Sequence, residues 1–251
     1  MSAATDAVTL PAPPRTLLES ASLFLDFDGT LVEIADRPDA VAVDAALADL
    51  LVSLGQRLGG RVAVVSGRSI AQLDALLGPV AQTLALSGSH GCEHRWHGIT
   101  AHPVRPGSLD DVAEAMRAAA EGHDGVIVEE KSFGVALHYR LDPGFEPEAL
   151  LLAERLAARH ERATQHGKMM VELRVPGSDK GVAVARLMQR PDMAGTIPVF
   201  IGDDLTDESA FAAARAGGGH GILVGTARGT QAEYGLPDPA AVRDWLMEKT
   251  A

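Results

Sequence analysis

Five short runs of the chain, 23–27, 62–65, 83–86, 199–202 and 222–224, are apolar at nearly every position instead of every second one. A strand that is apolar on both faces needs cover on both, which a sheet with one wet face does not supply. Between the runs, 44–58, 69–77, 180–188 and 207–216 carry good helix formers with apolar residues three and four apart. This alternation predicts an α/β core, a doubly wound, Rossmann-like parallel sheet with helices on both faces. With 251 residues, 46% of them apolar, and a mean hydropathy of +0.06, there is enough chain for one large core or two smaller ones.

The middle of the chain breaks the rhythm. Runs 126–131 and 134–140 are separated by Ser132 and Phe133 alone and read as neighbouring antiparallel strands, with a third strand at 170–175 and helices at 109–120 and 147–159. They predict a small α+β cap domain inserted at 106–173, between core segments 16–105 and 174–251. The Ala/Pro-rich stretch 1–15 reads as a mobile tail.

Charge and cysteine content narrow the function classes. Lys and Arg total 22 against 34 Asp and Glu, a net charge of −12, which argues against nucleic-acid or membrane partners. Residues 1–15 lack a basic stretch followed by an apolar one, and Cys92 is the single cysteine; a reducing, cytoplasmic setting is expected.

Chemistry concentrates in four short motifs. The first run ends in Asp26-Phe27-Asp28-Gly29-Thr30, followed along the chain by Ser66-Gly67-Arg68, Lys180-Gly181, and Gly202-Asp203-Asp204-Leu205-Thr206-Asp207-Glu208. Each falls at a strand end or helix start, where open α/β sheets hold ligands. In a strand, residues two apart point the same way, so Asp26 and Asp28 can face one ligand, and two such carboxylates need a cation nearby. An Asp-Gly hairpin turn is the plainer reading of the first motif. Lys180, opening a helix after Pro176-Gly177, would offer a phosphate its ammonium and free backbone N–H groups. No Gly-rich phosphate loop of the G-x-x-x-x-G-K type occurs.

Together these motifs resemble the haloacid dehalogenase superfamily of phosphatases. The resemblance implies that Asp26 is a nucleophile forming an aspartyl-phosphate and Asp28 the general acid that later activates water. It implies that Ser66 holds a phosphoryl oxygen while Lys180 offsets negative charge. Mg²⁺ would sit between Asp203, the Asp26 carboxylate and the Asp28 carbonyl, with Asp204 and Asp207 orienting its waters. Gly29, Thr30 and Gly67 would line the phosphate site.

The substrate should be read by the cap, which is expected to close over the mouth of the sheet. Glu129 and Lys131 share a strand face, His138-Tyr139-Arg140 follows, and Glu172 lies on another strand. Such groups suit a ligand rich in hydroxyls, although a solvated sheet face with ion pairs fits the same residues. Here a narrower resemblance enters. The segment from Glu129 to Arg140, Ser87-Gly88-Ser89-His90-Gly91-Cys92-Glu93, Val171-Glu172-Leu173-Arg174 and the Asp203 motif are similar to the trehalose-6-phosphate phosphatases, from about Ser22 to the last helix. That family implies a sugar phosphate substrate, with Glu129, Lys131 and Glu172 on the distal glucose, aided by His138 and Arg140, and Arg68, His90 and Gly91 near sugar and phosphate. One departure is Val175 where the family often has Pro; Pro176 follows instead. Association with a synthase is not legible.

Other features invite plainer readings. His90, Cys92, His94 and His97 match no standard zinc spacing, and Cys92 reads as a packed small side chain. Gly217-Gly218-Gly219 reads as a tight helix-to-strand connection, and Trp245 as core cover. Tyr139 fits either the cap core or a sugar platform. The rival functions are a phosphatase of another glycosyl phosphate, such as that of glucosylglycerol or mannosylglycerate, and a catalytically silent sugar-phosphate sensor.

Overall fold

The computed structural model describes residues 10–35, 41–177 and 179–247. They divide into two compact units, Met1–Thr100 with Asp179–Ala251, and Ala101–Ser178. The division lies a few residues outside the 106–173 expected.

The larger unit is built on a sheet whose parallel strands are β1 (Ala21–Leu25), β2 (Val62–Val65), β3 (Ala85–Gly88), β10 (Ile197–Gly202), β11 (His220–Val224) and β12 (Tyr234–Leu236). Its order is β12-β11-β10-β1-β2-β3, all parallel, continued by β4 (Glu93–Trp96), antiparallel to β3, and β5 (Ile99–Ala101). The period-two rule divides β1, β2, β10 and β11 between two cores. Leu23, Leu25, Val62, Val64, Val199, Ile201, Ile222 and Val224 pack into a layer with α1 (Ala45–Arg57), α2 (Ile70–Leu77) and α7 (Pro239–Met247). Phe24, Ala63, Val65, Phe200 and Leu223 face the other way, onto α5 (Lys180–Leu187) and α6 (Glu208–Ala216). Each fully buried Leu or Phe contributes about 1.5–3 kcal/mol, so cover on both faces explains why these strands are apolar throughout.

The smaller unit has a four-stranded antiparallel sheet, β6 (Ile127–Lys131), β7 (Gly134–His138), β9 (Met170–Arg174) and β8 (Ala163–Gly167) in that order. Val135, Leu137, Val171 and Leu173 pack against α3 (Ser108–Ala119) and α4 (Glu146–His160). The alternate positions form a polar second face. Tyr139 is buried in the helix-facing core, its hydroxyl donating to Glu146 Oε1 at 3.2 Å, which decides between the two readings of that residue.

Several expectations need correction. Strands β4, β5, β8 and β12 do not stand out as apolar runs in the sequence, and β1, β3, β10 and β11 begin two residues away from the expected starts. β4 escaped notice because Glu93, His94 and Arg95 are polar yet buried. Two of them are satisfied inside: Arg95 forks onto Asp74 at 2.8 and 2.6 Å, and Glu93 Oε2 accepts from Ile70 N–H and Ser89 Oγ–H at 3.0 and 2.7 Å. The last residues of the tail expected at 1–15 are held in place instead. Residues 1–9 lie outside the described residues, but the Pro11 carbonyl accepts from Gly235 N–H at 3.0 Å, and the Pro13 carbonyl from Trp245 Nε1–H at 3.0 Å. This segment covers the outer edge of β12, which an open sheet otherwise leaves unpaired. Trp245 is buried in the core, and a Cβ on Gly219 would meet the Pro198 carbonyl, in keeping with a tight turn there. No helix among the described residues is long and apolar enough to cross a membrane.

Candidate active site

The strand order places β1 between β2 and β10, so the chain leaves β1 in one direction and returns on its other side. That switch point opens a crevice at the carboxyl ends of the strands. Asp26 follows β1 directly, its N–H donating to the Ile201 carbonyl at 2.9 Å, so the ladder with β10 runs up to the carboxylate. Gly29 then turns the chain with φ +80°, and a Cβ there would lie 2.3 Å from Asp203 Oδ2. Glycine is thus needed twice at this position, for the left-handed backbone and for the close approach of Asp203.

Asp26, Asp203 and Asp207 each bring a carboxylate oxygen within 4.8 Å of the others. Lys180, at the first position of α5, reaches into the group, with Nζ 2.8 Å from Asp26 Oδ1 and 2.6 Å from Asp207 Oδ1. Asp26, Asp207 and Lys180 are all buried. Burial pushes the Asp26 carboxyl well above its usual range, and Asp207 and Asp203 push it further, while Lys180 opposes them. Burial pulls Lys180 the other way, but Asp207 and Asp26 outweigh it and hold the ammonium protonated. Three carboxylates against one ammonium leave an excess of two negative charges. Two like charges ~4 Å apart repel by ~4 kcal/mol at an effective dielectric of 20. A hard divalent cation removes that cost, and a donor set made of carboxylate oxygens fits one.

Around this group the expected residues fall into distinct places. Asp28 does not join the carboxylate cluster. Arg68 holds it by a fork, Nε to Oδ2 and Nη2 to Oδ1 both at 2.7 Å, and the same guanidinium stacks 5.8 Å from the Phe27 ring centroid. Asp204 also lies outside the cluster: its carboxylate caps the turn Leu205–Asp207, and its N–H donates to Asp207 Oδ2 at 2.9 Å. Ser66 is buried at the end of β2, and its Oγ accepts from Arg68 N–H at 3.1 Å. His90 has a left-handed backbone, φ 51°, and packs its ring on Gly67, where a Cβ would meet the imidazole at 2.5 Å. Gly91 approaches the Asp179 carbonyl in the same way, which brings the 89–91 turn to the start of α5. The Thr30 hydroxyl is buried with no hydrogen-bond partner among the described residues. The free N–H groups expected at the start of α5 are taken: Val182 N–H donates to Asp179 Oδ1 and Gly181 N–H to Ser209 Oγ. The ammonium of Lys180 remains as the cationic contribution of that helix.

The polar face of the smaller unit gathers most of the proposed sugar residues. Lys131 Nζ donates to Glu172 Oε2 at 2.6 Å, and His138 Nε2 lies 2.9 Å from Glu129 Oε2. Glu129, Ala136 and Glu172 stand in one cross-strand row. Gly134 makes room for the row, since a Cβ there would sit 2.6 Å from Glu172 Oε1. Glu172 is 2% exposed, which does not suit a merely solvated sheet face. Arg140 is not brought into this group; its Nη2 donates to the Lys168 carbonyl at 3.2 Å.

His94 and His97 go separate ways, His94 to Arg186 and His97 to Asp192. Burial, with the charge of Arg186 beside it, pushes the His94 imidazole down to about 4. The native state therefore holds it neutral, whereas the unfolded chain protonates it near 6.5. Its contribution to stability is present above pH 6.5 and is lost as the pH falls through about 4. His94→Gln should flatten that part of the acid decline, read as denaturant midpoints of both proteins between pH 7 and 4.

A family model described as trehalose-phosphatase matches residues 24–240. The chain belongs to the trehalose-phosphatase family. An Escherichia coli trehalose-6-phosphate phosphatase is 38% identical, over 89% of this chain and 84% of its own length. The trehalose-phosphatase fold is also seen in the C-terminal domain of C. albicans trehalose-6-phosphate phosphatase, with a TM-score of 0.83 at 24% identity over 96% of this chain and 98% of that one. A haloacid dehalogenase-like hydrolase from B. subtilis shares the architecture, with a TM-score of 0.64 at 15% identity over 90% and 98%. The chain is accordingly an enzyme, a phosphatase with the haloacid dehalogenase fold. Two groups beside the site are not legible as such in the sequence. Glu93 fastens the Ser89 turn to α2, and Arg228 fastens the backbone of the Asp203 loop; neither stands in a spacing that advertises a role.

Proposed function

We propose that this trehalose-phosphatase hydrolyses trehalose 6-phosphate to trehalose and phosphate, with Mg²⁺ and through an aspartyl-phosphate on Asp26. The observation that carries the reading is the position of Asp26, at the end of β1, paired with Lys180 at 2.8 Å and grouped with Asp203 and Asp207. Asp26, Asp203 and Asp207 would hold the ion, which supplies positive charge to the phosphoryl oxygens and to the crowded carboxylates. Lys180 works against the burial and the neighbouring carboxylates that disfavour the ionised form of Asp26, and a bound cation would act in the same direction. An Asp26 oxygen attacks phosphorus, the bond to the sugar oxygen breaks, and Asp28 protonates that leaving oxygen. Water then attacks phosphorus, Asp28 takes its proton, and the acyl–phosphate bond breaks to restore Asp26 and release phosphate. Both Asp28 oxygens are engaged by Arg68, so the fork must open for Asp28 to carry a proton. The net charge of −12 supports a small-molecule substrate in place of nucleic acid or membrane, and the single Cys92 suits a reducing, cytoplasmic setting.

On the cap, Glu172 and Glu129 accept from sugar hydroxyls while Lys131 and His138 fix their carboxylates. Glu172→Gln and Glu129→Gln should each raise KM for the disaccharide phosphate by about tenfold, the value of one hydrogen bond to a charged group, and change kcat less. Steady-state kinetics on both variants check this; an unchanged KM removes the cap residues from the sugar. The function itself is tested by phosphate release from trehalose 6-phosphate beside glucose 6-phosphate and glucosylglycerol phosphate, with Mg²⁺ and then a chelator. Metal-dependent turnover that prefers the disaccharide is expected. Preference for another ester keeps the chemistry and replaces the substrate.

A further inference from the structure

Arg228 sits in the loop between β11 and β12, away from every motif that carries the chemistry, yet its side chain ends on the acidic loop. Nη2 donates to the Asp204 carbonyl at 2.8 Å and approaches the Asp203 carbonyl at 3.5 Å. Nη1 bonds Glu208 Oε1 and the Gly229 carbonyl. Glu208 in turn uses Oε2 to accept from Gln231 N–H at 2.7 Å. One guanidinium and one carboxylate thus tie three pieces together: the backbone that carries Asp203, the first turn of α6, and the 228–231 loop. Both side chains are about three-quarters buried, at 25% and 23% exposure, so solvent screens the pair less than a surface ion pair.

The geometry points to Arg228 and Glu208 as positioning residues for the cation site. Asp203 is fixed from two sides. Its carboxylate lies against Gly29, where no Cβ intervenes, and the carbonyls of Asp203 and Asp204 are fastened by Arg228. With the carbonyls held, the peptide planes on either side of Asp204 cannot rotate, and the Asp203 carboxylate stays within reach of Asp26 and Asp207. A freed loop would let the three carboxylates relieve their repulsion by moving apart, and the cation would have to draw them together again on binding. Arg228 touches neither substrate nor Asp26, so its effect should appear in cation affinity and not in sugar recognition. This rests on the proposed use of a divalent cation at Asp26, Asp203 and Asp207.

Calorimetric titration of the resting enzyme with Mg²⁺ or Mn²⁺ alone, with no substrate present, separates the two. Arg228→Met and Glu208→Gln are expected to weaken cation binding by about tenfold or more, in the range seen when groups that orient ligands are removed. Arg228→Lys, which keeps one donor for the Asp204 carbonyl, should recover part of the loss. At saturating cation, KM for trehalose 6-phosphate should stay within about twofold of wild type, a split that general destabilisation would not produce. Wild-type affinity in the variants overturns the positioning role and leaves the proposed function standing. A wild-type enzyme that takes up neither cation overturns both. If Arg228→Met does not fold, Glu208→Gln decides, because it keeps the shape and removes the charge that orients the guanidinium.

Discussion

Asp26→Asn should lower turnover by at least about 10⁴-fold, the scale of losses when a covalent nucleophile is removed, while the protein stays at least as resistant to denaturant as wild type. The two halves of that result have one cause. The Asp26 carboxylate is buried beside Asp203 and Asp207, and burial together with those neighbours works against its ionised form. A neutral amide of the same shape removes one of three crowded charges, so stability is held or gained where activity is lost. Initial rates with Mg²⁺ and urea midpoints without metal, taken on the same preparation, read both halves. An Asp26→Asn enzyme that still turns over removes Asp26 from the chemistry.

Lys180→Met should do the opposite to the fold. Lys180 bridges Asp26 and Asp207 at 2.8 and 2.6 Å and is 3% exposed. Removing one partner of a buried ion pair leaves the other charge uncompensated, typically at a cost of about 3–5 kcal/mol. Here two carboxylates lose their counter-charge at once. The variant should therefore unfold at much lower denaturant and lose about 10²–10³-fold in rate, as when a single electrostatic stabiliser is removed. Part of the lost stability should return when a divalent cation is added, because the ion binds the folded state and offsets the same carboxylates. Urea midpoints with and without cation check this. Equal losses in both conditions would mean that Lys180 and the cation do not share these charges.

What was legible in the chain was whatever depended on pattern. Leu23, Phe24 and Leu25 are apolar in succession because one sheet face meets α1 and α7 and the other meets α5 and α6, and that is visible as an unbroken run. Asp26, Ser66, Lys180 and Asp203 sit next to such runs, so their places followed from the strands. Partners did not. Nothing in the spacing of Asp28 and Arg68 says that they form a fork in the resting protein, and Asp204 looks identical in sequence to Asp203 although one caps a turn and the other faces Asp26. The strand Glu93–Trp96 is hidden because its polar side chains are buried, Arg95 for one being satisfied by Asp74, distant in sequence. Arg228 was hidden for a simpler reason. Its role is to bond main-chain carbonyls, and a carbonyl leaves no mark in a sequence.

The most direct measurement is to mix the enzyme with trehalose 6-phosphate and Mg²⁺, quench in acid within one turnover, reduce with borohydride, and map the modified peptide by mass spectrometry. An aspartyl-phosphate on Asp26 predicts conversion of that one residue to homoserine, dependent on Mg²⁺ and absent from Asp26→Asn. Rapid turnover with no modified Asp26, or with the modification on another carboxylate, would contradict it.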